Sequence, residues 1–349
     1  MRALRLGVAV LLAAIGLVPA PARAADAALT GEWLRYRAGF VVDDGRVRDT
    51  GNGGVSHTES QGWAMLFAET FDDRASFDRI WNWTRSNLQR KDNALFSWRW
   101  DPGNEANPIA DTNNASDGDI LIAWALARAA RHWRSREYRD EAKRILADIR
   151  GKLVETIGGR LVLVPGVEGF VTQDGARIVN LSYYIYPAFE EFHRIDPSPV
   201  WPRLRRDGLA LLAAARFGHW GLPPDWITVD KHWRVTADTP LPPRFGFDAI
   251  RIPLYLIWGR AATAVRLAPE LRFWNAFTDK PVPAWVDVKD GSVANYPAPN
   301  GIQAIVRLVR WRAQIKAPPP SPPVICEHDN YYSASLVLLA AMARRAIER

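Results

Sequence analysis

Residues 115–130 read ASDGDILIAWALARAA, a stretch in which polar and acidic residues lead into an almost unbroken apolar run. From Ile120 to Ala130 the apolar residues cover every side of a 3.6-residue helix, which is typical of a helix that is buried all round. Ser116 and Asp117 are residues that favour the start of a helix. We therefore predict that this segment forms a helix in the inner layer of a helical protein.

The helices predicted on either side of this segment are amphipathic, with apolar residues on one face over 77–88 and again over 138–153. Further helices are predicted over 61–71, 182–195, 201–217, 249–259, 303–312 and 331–347. Strand patterns are few, with short ribbons at 159–165 and 232–237 and no alternation of strands with helices. Outer amphipathic helices and apolar inner helices together predict an all-α toroid with a few short β-strands.

The N-terminus has the pattern of a secretory signal peptide. Arg2 and Arg5 precede an apolar run over 6–18, and small residues flank Arg23. We predict cleavage after Ala24, which leaves 25–349 as one catalytic domain that is periplasmic or secreted. The apolar run is shorter than the roughly 20 residues of a membrane-spanning helix, so we expect no stable membrane insertion.

Composition excludes several classes of protein. The 349 residues are 48% hydrophobic, and Cys326 is the only cysteine, so an intramolecular disulfide or a multi-thiolate metal site is excluded. Residues 1–24 hold three arginines and no acid, so their removal lowers the net charge from +7 to +4. Acids are mixed with the arginines throughout, which argues against nucleic acid as a partner. No nucleophile elbow, phosphate loop or zinc helix is present, and we predict no cofactor and no metal.

Three acids stand at the start of apolar segments. Glu59 lies in VSHTESQGWAM at 55–65, Asp117 opens the helix quoted above, and Asp248 lies in FGFDAIR at 245–251. Any one of them alone is typical of a helix cap or first turn. If the inner helices begin at one end of the toroid, however, the three acids meet at one rim. Acids together with 16 tryptophans suit a sugar polymer, because aromatic rings stack on sugars and carboxyls act on glycosidic oxygens.

Several blocks of sequence extend this pattern along the chain. They lie at 33–65, 95–100 (LFSWRW), 115–126, 180–184 (NLSYY), 224–226 (PDW), 248–251 (DAIR) and 331–332 (YY). In this order they resemble family 8 of the glycoside hydrolases, a bacterial endoglucanase family that includes the periplasmic cellulase of cellulose-synthase operons. The resemblance implies an (α/α)6 barrel with a long cleft for a β-1,4-linked chain.

The resemblance also implies roles for four residues in a reaction that inverts the anomeric configuration. Glu59 matches the general acid, and Asp248 matches the general base. Tyr183 matches the residue that holds the attacking water, and Asp117 the residue that grips the hydroxyls of the distorted sugar. We expect the carboxyls of Glu59 and Asp248 to lie about 6.5–9.5 Å apart, which leaves room for the water.

Other residues are predicted to bind the substrate or to tune the acids. Aromatic side chains that suit sugar stacking, although this spacing also fits core packing, are Trp63, Trp98, Trp100, Tyr184 and Trp226. Further predicted substrate-binding residues are Gln61, Asn113, Arg251 and Tyr331. We expect Glu59 to be desolvated or close to a second carboxyl such as Asp117, which would keep it protonated. Arg251, one helical turn from Asp248, should favour the ionised form of that base.

The sequence leaves alternatives open. The same fold and mechanism would serve on xylan, chitosan or mixed-linkage β-glucan. A toroidal polysaccharide lyase would use Tyr183 or His193 as its base. A glucan-binding protein that has lost its catalysis is a further alternative, against which the presence of all three acids argues. A functional link to a cellulose synthase complex is a further expectation from the resemblance.

Overall fold

A computed structural model describes residues 20–313 and 320–348. Residues 1–19 of the predicted signal peptide lie outside the described residues, and the predicted cleavage site after Ala24 falls within the first helix. In the part of the chain that is described, no helix is both long enough and apolar enough to cross a membrane.

The described residues form eleven α-helices and nine short strands. The helices are α1 Ala20–Phe40, α2 Thr58–Thr70, α3 Arg74–Leu88, α4 Ser116–His132, α5 Arg136–Lys152, α6 Tyr186–Ile195, α7 Val200–Ala214, α8 Arg251–Trp258, α9 Ala264–Asn275, α10 Asn300–Ala313 and α11 Tyr331–Glu348. The strands are β1 Ser56–His57, β2 Arg99–Trp100, β3 Val154–Ile157, β4 Arg160–Leu163, β5 Arg177–Val179, β6 Ile227–Val229, β7 Val235–Thr236, β8 Arg244–Phe245 and β9 Val286–Asp287.

Two layers of helices build the molecule. Helices α2, α4, α8 and α11 are buried along almost their whole length, whereas α3, α5, α7 and α10 bury one face. The inner helices pack in the sequence α2, α4, α6, α8 and α11, and α1 packs on both α11 and α2 to close the ring. The segment quoted first becomes α4, and the prediction of an inner helix there is confirmed.

Two helices, α1 and α9, were not predicted from the sequence. Helix α1 buries Trp33 and Tyr36 on one face, but its beginning overlaps the predicted signal peptide. Helix α9 contains Pro269, a residue that normally ends a helical pattern. The helix predicted over 182–195 is divided, because a 3-10 turn at Leu181–Tyr183 precedes α6.

The predicted ribbons take partners from nearby in the chain. Strand β4 pairs antiparallel with β3, and β6 lies between β5 and β7 in a three-stranded sheet. Strand β1 pairs with β2 directly before α2 begins, with His57 opposite Arg99. These small sheets lie in the connections between helices and set the direction in which the chain enters the inner layer.

The first turns of α2 and α4 are in close contact. Gly118 in α4 lies against Thr58 in α2, and a Cβ atom at residue 118 would overlap the Thr58 side chain. Glycine therefore allows the two helix starts to approach each other, and with them the neighbouring acids Glu59 and Asp117.

Candidate active site

Arg251 is the centre of the candidate site. It lies in the first turn of α8 and is buried, with a side-chain exposure of 4%. Its Nη1 donates to Glu59 Oε1 at the start of α2, and its Nη2 lies 2.8 Å from Asp248 Oδ1. The same Nη2 lies 3.9 Å from Asp117 Oδ2 at the start of α4. Three acids that are far apart in the sequence therefore meet around one guanidinium at one rim of the toroid.

Asp248 stands in the short loop between β8 and α8. Its side chain is 31% exposed, so it has access to solvent on one side. Partial burial raises the pKa of Asp248 to about 6, and the side chains of Asn180 and Trp226 partly offset this rise. A carboxyl with this pKa is ionised at neutral pH and can accept a proton there.

Asp117 is almost fully buried in the first turn of α4. Burial and the nearby charge of Asp248 raise the pKa of Asp117 to about 7. Its Oδ1 accepts a hydrogen bond of 2.8 Å from the backbone N–H of Gly118, which holds the carboxyl at the helix start. Asp117 is thus a carboxyl that stays partly protonated near neutral pH.

Tyr183 lies in the 3-10 turn that faces the acids. Burial and the charges of Asp117 and Asp248 raise the pKa of its hydroxyl well above the usual value, so the hydroxyl stays protonated and can donate a hydrogen bond. The turn is tied to the acids through Ser182, whose Oγ donates to Asn180 Oδ1 at 2.7 Å and accepts from Arg251 Nη2 at 2.9 Å. This network links the 3-10 turn to the start of α8.

Taken together, the site offers two carboxyls on one arginine, a third carboxyl beside them and a tyrosine hydroxyl. Comparisons with known proteins agree with this chemistry. The sequence profile described as glycosyl hydrolases family 8 matches residues 10–346. This chain belongs to family 8 of the glycosyl hydrolases.

Individual relatives of this family 8 chain cover nearly its whole length. It is 40% identical over 318 residues to a probable endoglucanase of Novacetimonas hansenii. The matched region covers 91% of this chain and 91% of that relative. Among solved structures it is similar to endoglucanase Cel10, a family 8 glycosyl hydrolase from Klebsiella pneumoniae, with a TM-score of 0.85, 41% identity and coverage of 91% of this chain and 100% of that one. It is equally similar to the endo-beta-1,4-glucanase CMCax from Acetobacter xylinum, with a TM-score of 0.85, 39% identity and coverage of 93% and 100%.

Membership of family 8 settles two of the predictions made from the sequence. The fold is the (α/α)6 barrel that the resemblance implied, and the chain is a glycoside hydrolase. The alternatives of a polysaccharide lyase and of a binding protein without catalysis are therefore set aside.

Several residues predicted to bind the substrate are instead buried, with an exposure of 1% or less. These are Gln61, Trp63, Tyr184 and Tyr331. Gln61 bonds to the backbone N–H of Val47 at 2.7 Å, and the Tyr184 hydroxyl accepts from the backbone N–H of Leu163 at 2.9 Å. A side chain without exposed surface cannot stack on a sugar, so these predictions are corrected: the four residues support the site from within the core.

One expectation about Arg251 also changes. Arg251 was predicted to bind the substrate, but it is buried over the ring of Trp63 and is occupied by the acids of the site. It contacts Asp248, as expected, and Glu59 as well. Burial is the largest influence on the pKa of Asp248 and raises it. The charge of Asp248 acts on Asp117, and the expected effect of Asp117 on Glu59 stays a prediction.

The other predicted substrate-binding residues are half-buried and line the same side of the molecule as the acids. Trp98 and Trp100 belong to the segment that pairs with β1 before α2, and Trp226 lies edge-on to Tyr183 with ring centroids 6.0 Å apart. Asn113 uses its amide group on the backbone of Glu168, to which it donates at 3.0 Å. Their contact with a substrate stays a prediction.

One acid of the site, Asp225, was not predicted from the sequence. It belongs to the PDW block, of which only Trp226 was selected. Its Oδ1 accepts hydrogen bonds from the loop that carries Asp248. Asp225 lies ahead of strand β6 and not at the start of a predicted helix, and the signal that could have found it was its place beside Trp226.

Proposed function

We propose that this glycoside hydrolase is an inverting endo-β-1,4-glucanase that cuts internal bonds of cellulose or a related β-glucan. The observation that carries the proposal is the placement of Glu59 and Asp248, from two different inner helix starts, on the two amino groups of Arg251. Family membership and relatives named endoglucanase support the same activity. The partner implied is a β-1,4-linked polysaccharide.

In the proposed reaction Glu59 is the general acid. Its side chain is 17% exposed, so it can reach a glycosidic oxygen that lies in the cleft. It protonates this oxygen while the bond to the anomeric carbon breaks. Proton donation in the transition state typically contributes about 10²–10⁴-fold to the rate.

Asp248 is the proposed general base, because its carboxyl is ionised at neutral pH and is open to water on one side. It removes a proton from a water that attacks the anomeric carbon on the face opposite the leaving group. The Tyr183 hydroxyl, which stays protonated beside Asp117 and Asp248, positions this water. Asp117 binds the hydroxyls of the sugar at the cleavage point, where its partial protonation near neutral pH lets it donate as well as accept.

The anomeric form of the first product tests the mechanism. The purified protein is incubated with a soluble cello-oligosaccharide, and proton NMR spectra are recorded during the first minutes. An inverting enzyme produces the α-anomer of the new reducing end first, and mutarotation then adds the β-anomer. Initial formation of the β-anomer would overturn the assignment of Asp248 as a base, because retention requires a nucleophile.

A panel of polymers tests the substrate. We expect the fastest release of reducing ends from carboxymethyl cellulose, together with an early fall in viscosity that marks internal cleavage. Xylan, chitosan and mixed-linkage β-glucan are measured in parallel at equal mass concentration. A higher rate on any of these three would replace β-1,4-glucan as the proposed substrate.

We propose in addition that the chain is exported to the periplasm or secreted after cleavage at Ala24. The charged start, the apolar run and the small residues around Arg23 support this proposal. Expression of the full chain in a bacterium, followed by mass spectrometry of the N-terminal peptide in each fraction, tests it. A link to cellulose synthesis is proposed on the resemblance alone, and co-purification with a cellulose synthase complex would test that link.

A further inference from the structure

Asp225 holds the backbone of the loop that carries the proposed base. Its Oδ1 accepts hydrogen bonds from three backbone N–H groups, those of Gly246 at 3.0 Å, Asp248 at 3.1 Å and Ala249 at 2.7 Å. A single oxygen that accepts three donors within four residues fixes the course of the chain there. The loop leads directly into α8 and therefore also sets the position of Arg251.

The loop and Asp225 are packed too closely for a side chain between them. A Cβ atom at Gly246 would lie 2.9 Å from Asp225 Oδ2, so a larger residue at 246 would push the Asp225 carboxyl out of its present position. The other side of the loop is anchored by β8, which pairs with β9, and by a bond from the backbone N–H of Asp225 to the carbonyl of Arg244 at 2.6 Å. Asp225 thus connects the strand pair to the residue that accepts the proton.

Charged and titratable groups face this pair of acids from several elements. They are Glu59 from α2, Asp117 from α4, Tyr183 from the 3-10 turn, Arg251 from α8 and Tyr332 from α11. Burial and the charge of Asp248 raise the pKa of Asp225 to about 8. Asp225 is therefore mostly neutral at pH 7, where asparagine matches its shape, its charge and its acceptor oxygen.

We propose that Asp225 is a positioning residue for the general base: it holds residues 246–249 so that the Asp248 carboxyl faces the attacking water. The inference rests on the proposed role of Asp248. Asp225 does not contact the reacting atoms, and its effect on the reaction passes through the backbone of its neighbour. Loss of the acceptor oxygen displaces the base, whereas loss of the negative charge alone does not.

Two substitutions separate these properties. D225A removes the acceptor and leaves three N–H groups without their partner, so we expect kcat at pH 7 to fall about 10–100-fold, since small displacements of a catalytic group are costly. The KM for soluble cellulose should stay unchanged, because the proposed effect of Asp225 passes through the position of the base and involves no contact with the substrate. D225N keeps an oxygen in the same place and should retain a kcat close to that of the wild type.

A matched control is available in Asp207, which is buried and accepts a hydrogen bond of 2.9 Å from the backbone N–H of Leu161. D207A should lower the melting temperature and leave kcat per folded molecule at the wild-type value. If D225A behaves like D207A, Asp225 is only structural and the proposal fails. The proposal also fails if D225N loses as much kcat as D225A.

The variant D248N, measured in the same series, tests the assumption beneath the proposal. We expect D248N to be inactive. If D248N keeps the activity of the wild type, Asp248 is not the base and the proposed mechanism fails, whatever Asp225 does. If D248N is inactive and D225A has a normal kcat, only the inference about Asp225 is overturned.

Discussion

Acids at the two ends of the inner helices differ in the number of basic side chains that pair with them. At the C-terminal ends, Glu69 of α2 lies 2.6 Å from Arg128 and 3.2 Å from His132. Glu191 of α6 lies 3.2 Å from Arg131 and 2.8 Å from Arg194. At the N-terminal ends, by contrast, Glu59, Asp117 and Asp248 share the guanidinium of Arg251.

This difference in pairing indicates that the acids at one end stabilise the fold and that those at the other end can take part in the reaction. A buried acid that is paired with two basic side chains has its oxygens satisfied by those partners and contributes to the folded state. Acids that outnumber their cation cannot all be charged in a buried place, so some of them keep protons at neutral pH. The pKa values of Asp117, raised to about 7, and of Asp225, raised to about 8, show this at the N-terminal rim, whereas Asp248 with a pKa of about 6 stays mostly ionised. A rim of this kind can give and take protons, as hydrolysis requires.

The substitution E59Q gives the largest expected effect on this comparison. Glutamine cannot supply the proton, so kcat on soluble cellulose should fall by about 10²–10⁴-fold. Reducing-end release measures kcat, and calorimetry of an oligosaccharide checks that binding remains. Wild-type turnover in E59Q would show that Glu59 does not protonate the glycosidic oxygen.

The matched substitution at the other end is E69Q. Arg128 and His132 would then face a neutral amide, and the free energy of unfolding should fall by about 1–3 kcal/mol. Urea denaturation measures this loss, and kcat per folded molecule should not change. A kcat that falls as far as in E59Q would remove the distinction between the two ends.

The pH dependence sharpens the comparison. The proposed base acts in its ionised form, and the ionised fraction of Asp248 falls as the pH drops below its raised pKa of about 6. We expect kcat/KM to decline about tenfold per pH unit below that value, since kcat/KM reports groups of the free enzyme. A decline that begins only near pH 4, about the ordinary value for aspartate, would contradict the electrostatics of the rim.

The smallest expected effect concerns the aromatic residues beside the rim. Trp98 is half-buried, and its Nε1 donates to Asp111 at 2.8 Å, which holds the ring in place. If the ring stacks on a sugar, W98A should raise KM about 2–10-fold, the size of one aromatic contact. The variant W98F keeps a ring and should show a smaller rise. An unchanged KM in both variants would remove Trp98 from the cleft.

The inner layer could be predicted from the sequence because a helix that is buried on every side has an almost unbroken run of apolar residues. Helix α4 has apolar residues on every side, and the acids Glu59 and Asp117 stand at the predicted helix starts. Their meeting at one rim followed from the expectation that the inner helices begin at the same end. The contact of Gly118 with Thr58 shows how closely two of these starts approach.

Sequence alone could not decide which aromatic residue faces the cleft. Tyr183 and Tyr184 are neighbours, and the 3-10 turn directs the first towards the acids and the second into the core. Trp63 lies one helical turn after Glu59 and has the spacing of a sugar platform, but Arg251, Tyr331 and Tyr332 cover it. These outcomes depend on contacts between distant segments, which local spacing does not contain.

The contact between Gly118 and Thr58 limits how this enzyme can be redesigned. One added methyl group at residue 118 would push the start of α4 away from the start of α2, and these two helix starts carry Asp117 and Glu59. Attempts to admit bulkier or branched polymers should therefore alter the connecting loops and leave this helix crossing untouched. In a homologous chain that keeps Thr58, a residue larger than glycine at this position is expected to move the two helix starts apart and to lower the turnover.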